Sequence, residues 1–218
     1  MKKLFAKMEW ILCLITLAPS FLLYWFWEKI PQTIATHYDF YGKADDWNDK
    51  SILLWLIPGL SIFLYLILLL VPVLDPKKRI ESMGGKYFAL RVVVLSLISA
   101  ISVIFVLSAV YPDLDFQAGL FPILAIFLIL LGNYLQAVKP NYFIGIRTPW
   151  TLNDEQNWQK THRLGGRVYM LGGLILLLAS LFLGNLGFHT VFLICLLLIV
   201  FIPVIYSFWL FIAGKTAQ

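Results

Sequence analysis

"KPNYFIGIRTPWTLNDEQNWQKTHRLGGR" runs from Lys139 to Arg167, holds no long apolar run, and is flanked on both sides by chain hydrophobic enough to lie in lipid. A polar connector of this length, rich in Trp, Arg, Asn and His, has to be explained by what surrounds it. Of the 218 residues, 61% are hydrophobic and 13% charged, and the mean hydropathy is +0.84. A soluble domain carries about 25% charged residues. Apolar runs of roughly 20 residues recur along the chain, each long enough to cross a hydrocarbon core about 30 Å thick. In lipid such runs must close their own backbone hydrogen bonds, which makes them helices. The sequence therefore predicts an all-α integral membrane protein, a six-transmembrane-helix bundle with spans near 8–27, 51–74, 88–111, 118–138, 167–184 and 190–213.

The start, "MKKLFAKMEWILCLITLAPSFLLYWFW", has the basic prefix of a secretory signal. Its apolar part is too long for a cleaved segment and shows no clean small-residue cleavage site, so it reads as a retained first span. Cys13 and Cys195 both fall inside apolar runs, where a free thiol behaves as a small hydrophobe; no disulfide framework or metal-type spacing is present.

Charge sets the orientation. Fourteen of the seventeen Lys and Arg fall in the N-terminal tail, the second loop, the fourth loop and the C-terminal tail; only Lys29, Lys43 and Lys50 fall on the other side. Positive residues stay cytoplasmic, which puts both termini and the Lys139–Arg167 connector inside. The pI near 9.2 is then an orientation signal with anionic-lipid contact, and not a nucleic-acid footprint. Two parts are expected: residues 1–75, two spans around an acidic extracellular loop, and residues 76–218, four spans around the connector.

No ionisable residue falls near the middle of any expected span. Glu9, Glu28 and Arg91 lie at the edges, within snorkelling distance of the headgroups. Proton-coupled carriers and intramembrane acid–base enzymes place ionisable groups at depth, so those classes lose ground. Small residues recur at helical spacing in the third span (Ser96, Ser99, Ser102) and the fifth (Gly165, Gly172, Gly173, Ser180, Gly184), where they let helices approach closely; a substrate path is the alternative.

Within the connector, Pro140 ends the fourth span. Thr151 and Asp154 resemble a capping box, predicting a helix from Leu152 to Leu164. On it Lys160, Arg163 and Arg167 form one basic stripe, with Trp158, Thr161 and Gly165 on another face. One reading lays this helix on the inner leaflet with Trp158 dipping in. The other makes it a docking surface for a cytosolic partner. The candidate contacts are Asn133, Asn141, Arg147, Pro149, Trp150, Trp158, His162, Arg163 and Arg167. His162 has no second metal ligand at useful spacing. In the outer loop, "IPQTIATHYDFYGKADDW" gathers His37, Asp39, Gly42, Asp45 and Asp46 as candidates to face an external ligand. Their spacing matches no zinc signature, and a turn with solvated charges is the alternative.

The stretch "GNYLQAVKPNYFIGIRTPWTLNDEQNWQKTHRLGGR", Gly132 to Arg167, strongly resembles the signature of SdpI-type immunity proteins, six-span bacterial membrane proteins linked to a sporulation-delaying peptide toxin. The outer segment resembles the small domain of unknown function that precedes this signature in the family. The resemblance implies a multi-pass protein of the bacterial plasma membrane that is not an enzyme and has no cofactor. It would protect against a secreted, membrane-active peptide toxin and act as a receptor that recruits a cytosolic transcriptional repressor. The alternative is a transporter that exports a toxic peptide or amphiphile.

Overall fold

The computed structural model describes residues 2–216 apart from Phe40, Gly42 and Lys77. The candidate Gly42 thus lies outside the described residues. The chain is mostly helical. Helix α1 (Lys2–Phe26) leads through a single 3-10 turn into strands β1 (Thr33–Tyr38) and β2 (Ala44–Asp49). Then come α2 (Leu53–Leu74), the short α3 (Arg79–Met83), α4 (Gly85–Val110) and α5 (Phe116–Leu135). The connector contributes α6 (Pro149–Asn153), followed by α7 (Glu155–Phe182) and α8 (Asn185–Thr216). Among the described residues six helices are long and apolar enough to cross a membrane.

Two expectations are corrected. The fold is not all-α, because β1 and β2 pair antiparallel as a hairpin: Thr33 faces Asp49, Ile34 faces Asn48 and Ala35 faces Trp47 before the register slips near His37. Ile34 is the buried anchor, packed with Leu23, Leu53, Ile57 and Val106. Lys50 Nζ adds hydrogen bonds to the carbonyls of Trp27 and Ile30, at 3.0 and 3.1 Å. Nor is there a separate surface helix at 152–164. Asp154 accepts from the backbone N–H of Gln156 and Asn157 and starts one unbroken 28-residue helix that includes the expected fifth span. Thr151 belongs instead to the cap of α6, where Thr148 is the N-cap and Pro149 the first residue.

Neighbouring helices run α2, α1, α4, α5, α7, α8. The pairs α4–α5 and α7–α8, joined by short loops, pack together as expected, and α5 packs closest of all on α7. Glycines set that approach. A Cβ on Gly132 would sit 2.6 Å from the Gly166 carbonyl, and one on Gly173 would sit 2.8 Å from the Ala125 carbonyl. The glycine stripe is thus helix packing.

Glu9 and Arg91 do not snorkel apart. Arg91, 7% exposed, reaches from α4 across to α1 and forks onto both carboxylate oxygens of Glu9, with Nη1 3.1 Å from Oε2. Tyr65 of α2 donates to the same carboxylate at 3.1 Å, so one acidic group joins three helices.

Candidate functional site

The two polar segments lie at opposite ends of the helices. At one end, residues 136–167 close on themselves around Trp158, which is fully buried with Ile80, Met83, Tyr87, Tyr134 and Val138. Its Nε1 donates to the Val138 carbonyl at 2.8 Å, and its ring stacks on His162 with centroids 4.0 Å apart. Aromatic nitrogens buried this deeply need such an acceptor.

His162 fixes the loop's path. Its Nε2 accepts from the backbone N–H of Ile146 at 2.9 Å, and its Nδ1 lies 2.8 Å from the Trp158 carbonyl. The first contact requires a bare Nε2 and the second a proton on Nδ1, so the ring is the neutral Nδ1–H tautomer. Gly145, at φ +116°, brings the backbone across this stack; a Cβ there would collide with His162 Nε2 and come within 3.1 Å of Trp158. Only glycine combines that conformation with that clearance.

Asn141, 2% exposed, holds the first half of the loop. Its amide donates to the carbonyls of Lys139 and Ile144 and accepts from the N–H groups of Phe143 and Ile144, all within 3.0 Å. Arg79 of α3 donates to the Pro140 carbonyl at 3.1 Å and pairs with Glu155 at 3.5 Å. The second half is tied to α8 through one serine. Trp150 Nε1 donates to Ser207 Oγ at 2.7 Å, and Asn157 Nδ2 donates to the Ser207 carbonyl at 2.9 Å.

The nine inner candidates therefore divide. Asn141, Trp158 and His162 are enclosed and shape the loop from within. The expectation that Trp158 dips into a leaflet is corrected, because its ring and nitrogen both find partners inside the protein. Trp150 is half-buried against Phe208 and Phe211. Asn133, Arg147, Pro149, Arg163 and Arg167 are exposed, and Arg147 donates to the Tyr142 carbonyl. Lys160, Arg163 and Arg167 line one exposed face of α7, opposite Trp158, Thr161 and Gly165, as the spacing predicts. Sequence reasoning missed Gly145, Arg79 and Ser207. A glycine in the irregular "FIGIRTP" was the one available signal.

At the other end, the hairpin sits on the helix ends, where Tyr38 stacks on Phe116 of α5 with centroids 5.4 Å apart. Asp39 Oδ1 accepts from the N–H groups of Tyr41 and Lys43, both at 2.8 Å, which folds the turn. His37 Nδ1 lies 2.5 Å from Asp45 Oδ1, and that hydrogen bond holds the imidazole pKa above its ordinary value. Asp46 accepts from Asn48 at 3.2 Å. Among the described residues no group of three His, Cys, Asp or Glu is placed to hold a metal ion.

Comparison with known proteins finds family models that match two parts of the chain. Residues 137–207 match the SdpI/YfhL protein family, and residues 14–62 match a domain of unknown function, DUF1648. The first match begins beside Val138, the acceptor for Trp158, and ends at Ser207, the tie to α8; its limits enclose the folded loop. The chain is 27% identical over 175 residues to the immunity protein SdpI of Bacillus subtilis (strain 168), covering 80% of each. No solved structure matches. Residues 137–207 thus form an SdpI/YfhL family region, with a DUF1648 segment ahead of it at 14–62, and the chain is a distant relative of the Bacillus subtilis immunity protein.

Proposed function

We propose that this chain is an immunity protein of the bacterial cell membrane that protects its own cell from a secreted, membrane-active peptide toxin. The observation that carries the reading is similarity over 80% of both chains to a protein named for immunity. The hairpin end faces outward and the basic end inward, in keeping with the retention of Lys and Arg on the cytoplasmic side. Toxin, or the membrane stress it causes, favours one of two packings of the bundle in proportion to its difference in affinity for them. The exposed side chains of Arg147, Pro149, Arg163 and Arg167 meet a cytosolic repressor, while Asn141, Trp158 and His162 keep the loop in shape. Nothing in this scheme calls for catalysis or a cofactor.

The test is expression in a toxin-sensitive bacterium, with membrane potential followed after toxin challenge. Cells carrying the chain keep their potential, and collapse at the same toxin dose as empty cells would sink the proposal. An R147A/R163A variant is expected to retain protection while losing repressor recruitment. An exported-only reporter is expected to be active when inserted after Tyr41 and silent when inserted after Gln156.

A further inference from the structure

Between the start of α4, the chain just past α5 and the exposed face of α7 lies a cavity of about 480 Å³. Lys86, Lys139, Lys160 and Arg163 line it together with the amides of Gln136 and Gln159, and no Asp or Glu does. None of these four cations takes part in an ion pair among the described residues. The sequence does not group them: they come from three separate segments, and Arg167, third member of the helical stripe, is not part of the lining. Val138 and His162 form part of the wall, and both are already committed to hydrogen bonds that close the loop.

Four like charges converging on one void repel one another, and an anion seated among them relieves that repulsion. The geometry points to a binding site for the phosphate of an anionic lipid headgroup. Depth selects a lipid. Lys86 is the second residue of α4, Lys139 lies four residues past the end of α5, and Lys160 and Arg163 occupy the polar opening of α7. All four stand where the apolar helices end, at the level of the phosphates, and long basic side chains reach such groups readily. The volume is that of a small-molecule pocket, with room for a glycerophosphate and the two amides to bond its hydroxyls. Phosphodiesters line both leaflets, so the site is independent of which way the chain is inserted and of the immunity reading.

The test uses the full-length chain in neutral detergent, with retained lipid counted by native mass spectrometry. It is titrated with phosphatidylglycerol, phosphatidylcholine, inorganic phosphate or a poly-glutamate peptide. Phosphatidylglycerol is expected to be retained over phosphatidylcholine. K86Q/K139Q and K160Q/R163Q are each expected to lower that preference about tenfold or more, since each interfacial cation contributes a factor of about five. K139R/K160R keeps it, and so does R167Q, which removes an exposed charge outside the cavity. Equal retention of the two lipids in the wild type overturns the site, and decides the matter alone if the Gln variants do not purify. A loss in R167Q as large as in the paired variants reduces it to general surface attraction. Displacement of the lipid by inorganic phosphate or poly-glutamate at equal concentration assigns the cavity to a free anion or an acidic protein segment instead.

Discussion

The backbone N–H of Ile146 donates to His162 Nε2, so a residue of the irregular loop is held by a ring sixteen positions further along the chain. The bond works only while that nitrogen is bare, which ties the loop's shape to an uncharged imidazole. Phe in place of His162 keeps a ring against Trp158 but removes the acceptor. H162F is expected to cost about 1–3 kcal/mol, the usual penalty of an orphaned buried donor. Thermal denaturation of the purified chain checks this, and an unchanged midpoint would remove His162 from its assigned place.

Gly145 should be the least tolerant glycine of the loop. G145A forces an L residue into a positive-φ conformation, costing roughly 1–2 kcal/mol, and drives its methyl into the His162 ring besides. G59A is the control, because a Cβ at Gly59 meets nothing within 4 Å. Limited proteolysis is expected to cut G145A within residues 140–153 and to leave G59A as resistant as the wild type.

The Glu9–Arg91 pair should show strong coupling. Removing Glu9 alone leaves a guanidinium buried among α1, α2 and α4, and E9L is expected to destabilise by roughly 3 kcal/mol. E9L/R91M, which removes both charges, should be less harmful than E9L by itself. Detergent unfolding of the four chains of this cycle gives the answer, and simple additivity would contradict the pairing.

His37 gives the hairpin a pH response of defined sign. Its hydrogen bond to Asp45, then the charge of Asp45, raise the folded pKa above the ordinary value of 6.5, with smaller help from Asp46 and Asp39. The bond's contribution is thus fully present below pH 6.5 and fades as pH climbs through the raised value. In an NMR titration the His37 ring is expected to turn over above 6.5 in the wild type and closer to it in D45N. Identical curves would mean that the pair does not form in solution.

The six apolar runs were legible because each is a continuous hydrophobic stretch, and the second span, expected at 51–74, is observed at Lys50–Leu74. Hydropathy gives the fifth as 167–184, whereas its helix begins at Glu155. Hydropathy marks where a helix is greasy and not where it starts, and the Asp154 cap was hidden by a more familiar pattern at Thr151. Trp158 was misplaced for a related reason. A tryptophan between a span and a basic stripe prefers the lipid interface, unless the fold supplies a carbonyl and a stacking ring, and here Val138 and His162 supply both. The hairpin leaves little trace, since Ile34 is the one deeply buried residue among those described in it. Ser207, a lone serine in an apolar run, carries no mark of its tie to Trp150.

That serine imposes an order on biosynthesis. When a ribosome has finished residues 139–167, the atoms that receive Trp150 and Asn157 are still forty residues from being made. The nascent loop can therefore fold around Trp158 early but settles against its last helix only near the end of translation. A chain that stopped just short of residue 207 would keep enough of α8 to cross the membrane yet leave the loop unlatched.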